Sequence, residues 1–195
     1  MSEISNWLLR IASWRAVVGM FILTGALITL MTTIFMPAVT NATGGLEPFD
    51  IIFPLSTEQI SAGLAQYNSE AIKAYLLFTA VDVAFPIASG LFSCLLGAWL
   101  IKISGFEWLI SLAKRGYILL LFIPTVFDLI ENAGFVTLIL SGSDTNVTLA
   151  SATTFVHAAK FRSISVMWAA HSILFLSAII GTIQRTRQQS KLDAE

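Results

Sequence analysis

The sequence predicts an all-α polytopic membrane protein: a bundle of four transmembrane helices with an outer loop that contains a short amphipathic helix. Composition is the first observation behind this. Of 195 residues, 56% are hydrophobic and only 12% charged, and the mean hydropathy is +0.80. An average soluble domain carries about twice that charge fraction. The second observation is that the apolar residues gather in long runs instead of alternating, the pattern of chains solvated by lipid. At about 20 residues per crossing, four spans leave room for one sizeable loop, and residues 1–195 make a single membrane domain.

Residues 4–15 open the chain with Trp7, Leu8, Ile11 and Trp14 at helical spacing beside Arg10 and Arg15. Tryptophan and arginine together suit the headgroup region, so this segment is an interfacial lead-in. The first span is expected over 16–37, ending near Pro37. It reads as a retained span, because no compact small-residue cleavage site follows it. The remaining spans are expected over 74–101, 116–140 and 161–184. Residues 102–115 form a short basic connection, and 141–158 form a polar, nearly uncharged one. The longest loop, 38–73, opens with the turn-rich NATGGLEP. Within it Ser56 and Gln59 have capping-box spacing. Ile60, Leu64 and Tyr67 then recur at i, i+4 and i+7, which predicts a short helix laid over the outer face.

Lysine and arginine set the orientation. Arg10, Arg15, Lys102, Lys114, Arg115, Arg185, Arg187 and Lys191 fall on one side of these spans, and Lys73, Lys160 and Arg162 on the other. The richer side is cytoplasmic by the positive-inside rule, and it carries both termini. A net charge of −1 gives no reason to expect a nucleic-acid partner. The single cysteine, Cys94, excludes an internal disulfide and a thiolate metal site. With no Glu-x-x-His or His-x-x-x-His pair and no phosphate-cradling glycine loop, neither a metal nor any other cofactor is expected.

The most informative residues are those a bilayer should exclude. A carboxylate at mid-bilayer costs several kcal/mol, yet Asp82 stands in the second span and Asp128 and Glu131 in the third, with His171 in the fourth. A rise of 1.5 Å per residue puts them about 12, 18, 13 and 15 Å below the outer helix ends. Helices of opposite direction thus bring all four into one layer. At about 100° per residue, Tyr75, Asp82, Pro86, Ser89 and Ser93 share one face of the second helix. Tyr117, Pro124, Asp128, Glu131, Asn132 and Phe135 share one face of the third. His157, Lys160, Ile164, Trp168 and His171 share one face of the fourth, provided that helix extends so far outward; otherwise Lys160 and Arg162 lie among the headgroups. Gly25, Thr29, Thr32 and Met36 make a weakly polar face on the first. Pro86 and Pro124 each lie four residues from a carboxylate and free backbone carbonyls beside it. Asp82, Pro86, Asp128, Glu131, Asn132 and His171 are therefore the expected ligand-binding set. Ser89 and Ser93 are expected deeper than His171, which leaves no nucleophilic triad.

Two motifs carry a resemblance. YLLFTAVDVAFPIASGLF (75–92), with its Asp-x-x-x-Phe-Pro core, and FDLIENAG (127–134), with Asp-x-x-Glu-Asn, resemble a motif pair of small four-helix membrane proteins of bacteria. That resemblance covers most of residues 16–184 and implies the four-helix architecture and a bacterial cytoplasmic membrane, but no activity. VDVAFPIA (81–88) also has a likeness of design to the EXPERA superfamily of emopamil-binding sterol isomerases and their lipid-handling relatives.

Three functions fit an acidic pocket inside a bilayer. The leading one is binding of a small lipophilic or lipid-like ligand. The others are acid/base chemistry on a lipid, with Asp128 or Glu131 carrying the proton, and proton-linked transport. Four helices are few for transport, so that reading requires a homo-oligomer or an accessory role.

Overall fold

A computed structural model describes residues 2–142 and 146–193, and every regular element among them is helical. Helix α1 (Ser2–Ile11) leads into α2 (Trp14–Ala42). Then follow α3 (Thr57–Leu64), α4 (Ser69–Asp82), α5 (Ala84–Ser104), α6 (Glu107–Lys114), α7 (Tyr117–Ser141) and α8 (Val147–Leu192). Four stretches are long and apolar enough to cross a bilayer: α2, α4 with α5, α7 and α8. The protein is an all-α four-helix bundle.

Local chemistry accounts for the element ends. Ser56 accepts from the Gln59 amide at 3.2 Å while the Gln59 side chain accepts from the Ser56 amide at 2.7 Å, closing the capping box that starts α3. Ile60 and Leu64 on its inner face are buried against Phe49, Tyr75 and Phe135. Asn68 caps α4 through the amides of Glu70 and Ala71, both at 2.9 Å. The second span breaks at Val83, between α4 and α5. Pro86 has no N–H to offer the Asp82 carbonyl, so the helix cannot run through unbroken. Pro124 acts differently: it opens the regular part of α7, after a tighter turn over Tyr117–Phe122.

Several boundaries differ from those the sequence suggests. The fourth helix starts at Val147, capped by Asn146 at 3.2 Å, so most of the expected 141–158 loop is helix; residues 143–145 of that loop lie outside the described residues. A helix of 46 residues is about 69 Å long, against an apolar bilayer core of about 30 Å. Its first turns therefore stand beside the long loop, and its last turns pass well beyond the opposite face. The first span includes a wider π turn at Met31–Phe35. Thr29 and Thr32, expected to face inward, are exposed, and their hydroxyls donate to the Gly25 and Ile28 carbonyls. A threonine satisfied by its own backbone needs no polar neighbour.

Helix α5 is the hub, packed on α2, α7 and α8, while α7 and α8 pair along their length. Helices α2 and α8 make no comparable contact. One apolar core lies where Leu8 and Ala12 meet Cys94, Ala98, Ile101 and Leu109, and a second lies beneath the long loop around Phe49, Ile60, Tyr75 and Phe135. Both termini sit at the first of these ends. There Lys102 donates to the Ala12 carbonyl at 2.7 Å, and Arg185 donates to the Ile103 carbonyl.

Candidate functional site

Between the two cores lies a layer of buried polar side chains. Helix α7 contributes Asp128, Glu131 and Asn132, successive inward positions of one face. Glu131 and Asn132 are 0% and 2% exposed. Asn132 donates to Asp82 Oδ2 at 2.6 Å across the α4–α7 interface. Glu131 is held from α8. Lys160 Nζ stands 2.9 Å from its Oε2 and 3.0 Å from its Oε1, and reaches Asp128 Oδ1 at 3.3 Å. The same ammonium donates to the Asp50 backbone carbonyl at 3.1 Å, which ties the long loop to the bundle.

His157 completes the layer. Its Nε2 lies 2.8 Å from the Ile52 carbonyl, and its Nδ1 lies 2.8 Å from Glu131 Oε1. A carbonyl only accepts, so Nε2 carries a hydrogen, and the Nδ1–Oε1 contact then encloses one proton shared between imidazole and carboxyl. Close approach of α7 and α8 makes this possible. A Cβ at Gly134 would collide with the Thr153 hydroxyl, so glycine is what lets the helices meet one turn from Glu131 and His157.

Asp50 belongs to the same layer, brought down by the loop and 5% exposed. Burial pushes its carboxyl well above the usual carboxylate range. The Asp82 charge raises it further, and Lys160 opposes the shift. Four carboxyl groups thus share this layer with the single lysine Lys160. Among the described residues, no three His, Cys, Asp or Glu side chains are arranged to hold a metal ion.

Beside the polar layer, on the side of the termini, lies a slot of about 380 Å³ walled by all four spans. Its lining is mostly apolar: Phe21 and Ile28 from α2, Phe85, Phe92 and Leu96 from α5, and Ile164, Met167 and Trp168 from α8. Phe85 to Leu96 is eleven residues of helix, about 16 Å. Asp128 stands at the end next to the polar layer, beside Pro86 and Thr125, where Thr125 donates to the Pro86 carbonyl at 2.7 Å. His171 and Ser93 stand at the other end. Phe21, Ile28 and Trp168 line the slot yet are 63%, 39% and 55% exposed. They mark its mouth, the wedge between α2 and α8.

The expected site residues thus divide into two groups. Asp82, Glu131 and Asn132 are sealed in the polar layer. Pro86, Asp128 and His171 line the slot, and Asp128 joins the two through Lys160. His171 is not at the depth of the carboxylates. It is eleven residues, about 16 Å of helix, beyond Lys160, because the fourth helix begins earlier than its apolar run. Ser93 is correspondingly level with His171, not deeper: its hydroxyl is 3.5 Å and its carbonyl 3.1 Å from Nε2, while Nδ1 faces the Met167 carbonyl at 2.9 Å. No carboxylate orients this imidazole in the manner of a triad. Lys160 is no headgroup residue either; it is 6% exposed and fully engaged, whereas Arg162 is exposed. Asp50 is not among the expected residues, since a loop position has no helical phase to read.

No protein-family model, curated protein or solved structure matches this chain. Its class rests on its own architecture: a helical integral membrane protein with a buried charged layer beside an apolar slot.

Proposed function

We propose that this protein binds a small lipophilic molecule that enters from the bilayer between α2 and α8. The supporting observation is the slot itself, mostly apolar and lined at its mouth by exposed residues of two membrane-spanning helices, with a carboxylate at one end. Ligand sites of this kind are concave and apolar with a few placed polar groups. Asp128 is suited to a hydroxyl or amine headgroup. The Ser93–His171 pair, about two to three helical turns away, is suited to a second polar atom on the ligand. Lys160 holds Asp128 from behind, so a cationic headgroup must share that carboxylate while a hydroxyl can simply donate to it.

In this reading the protein lies in a bacterial cytoplasmic membrane with both termini in the cytoplasm. The burial of Lys160 supports that orientation. With it withdrawn into the core, only Lys73 and Arg162 remain as exposed basic residues on the loop side, against eight on the side of the termini. The resemblance to small bacterial four-helix proteins is in keeping with it.

The test is identification, by mass spectrometry, of small lipophilic molecules that co-purify after mild extraction. A defined species should be retained at near-stoichiometric amount and depleted at least tenfold in Asp128→Asn. Bulk phospholipid alone, unchanged by that substitution, would remove the proposal.

A further inference from the structure

A second set of oxygens lies on the loop side of the polar layer, away from the slot. Tyr75, Thr79 and Asp82 follow one another at helical spacing on the inner face of α4, and Tyr67 packs over them with its ring 5.8 Å from that of Tyr75. Asp50, in the loop, lies near enough for its charge to act on both phenols. Four oxygens here are buried without a hydrogen-bond partner among the described residues: Asp50 Oδ1, Tyr67 Oη, Tyr75 Oη and Thr79 Oγ1. Tyr75 is 0%, Asp50 5% and Thr79 7% exposed. Buried polar groups are almost always paired, so several orphans on neighbouring side chains indicate a missing partner. The charge balance points the same way. Asp50, Asp82, Asp128 and Glu131 face only Lys160 and the one proton shared by His157, so each remaining carboxyl there must either keep a proton or meet a cation.

We propose that Asp50, Tyr67, Tyr75 and Thr79 form a binding site for a small alkali cation of sodium size, closed over by the long loop. One carboxylate oxygen and several neutral oxygens suit a singly charged hard ion. Calcium takes six to eight oxygens, usually with several carboxylates, and magnesium retains much of its water. The lack of a cluster of metal-ligating side chains argues against a transition metal. The occupied site would hold the 43–68 segment down on α4, and this inference does not depend on what the slot binds.

The test compares thermal unfolding of the purified full-length protein in sodium chloride with that in N-methylglucamine chloride at equal ionic strength. At ten times the dissociation constant, sodium should raise the midpoint by roughly 3–6 °C. Asp50→Asn should abolish the response. Thr79→Val and Tyr75→Phe keep the shape of the core and should weaken it about tenfold in sodium concentration, which keeps the test informative if Asp50→Asn does not fold. Equal midpoints in the two salts would overturn the proposal. So would a sodium response that survives Asp50→Asn, or one left unchanged by both Thr79→Val and Tyr75→Phe.

Discussion

Replacing Lys160 by methionine is the sharpest perturbation of the polar layer. The side chain is 6% exposed, and its ammonium lies within 3.3 Å of oxygens on Asp128, Glu131 and the Asp50 backbone. Methionine matches its length and apolar stem but leaves two carboxylates facing each other without a counter-charge. Removing one partner of a buried ion pair costs about 3–5 kcal/mol. For a chain of this size each kcal/mol moves the midpoint by roughly 2–4 °C, so a fall of about 6–20 °C is expected. Cys94 provides the assay, being the sole cysteine and 1% exposed. A thiol-reactive fluorophore labels it only as the bundle opens, so labelling against temperature reads unfolding directly. Arg162→Gln, at the exposed neighbour, should stay within about 0.5 kcal/mol of wild type. Adding Glu131→Gln to Lys160→Met should recover part of the loss, because the orphaned charge is then gone. A Lys160→Met midpoint within 1–2 °C of wild type would refute the ion-pair layer, at the roughly 2–4 °C per kcal/mol that applies here.

Three further outcomes are expected. The Asp50 carboxyl is held above its ordinary value of about 3.9, so its proton stabilises the fold. In sodium-free buffer that contribution is full below about pH 4 and is lost as pH rises toward the folded value; the wild type should therefore lose stability relative to Asp50→Asn across that window, and parallel curves would contradict it. Gly134→Ala should destabilise by about 1–3 kcal/mol through its collision with Thr153, and Gly134→Ala with Thr153→Ala should recover part of this, whereas an additive loss would place the strain elsewhere. For topology, single cysteines at Ser61 and Gln188 in a Cys94→Ser background should react with an impermeant reagent in intact cells at position 61 only. Labelling at 188 alone would invert the orientation.

How much of this was legible beforehand depends on the kind of signal. The four spans follow from apolar runs, and the start of α3 follows from Ser56 and Gln59, because both signals are local. The convergence of Asp82 with Asn132 and of Asp128 with Glu131 follows from helical phase, a property of single helices. Residues 141–158 read as loop because Ser and Thr are abundant there, yet from Val147 the segment is helical. Thr153 donates back to the Leu149 carbonyl, and Ala150, Thr153, His157 and Lys160 bury one face against α7 and the loop. That early start shifts every depth counted from the end of the apolar run, which is why His171 sits well below the carboxylates. Asp50 was hidden for a different reason. Its burial depends on how a 26-residue connection, 43–68, folds back over the bundle, and no periodicity encodes that.

The central claim is that the slot between α2 and α8 holds a lipophilic molecule, and Gly25 allows the most direct test. It lines the slot, its backbone is ordinary helix, and a Cβ there would meet nothing within 4 Å. Gly19 is equally unobstructed, is exposed, and does not line the slot. Gly25→Trp and Gly19→Trp should therefore both fold, as read by the Cys94 midpoint, while only the first fills the slot. The measurement is the amount of co-purified lipophilic species per protein in each variant. Loss of at least nine-tenths in Gly25→Trp with full retention in Gly19→Trp is the predicted result. Equal retention in the two would contradict the account.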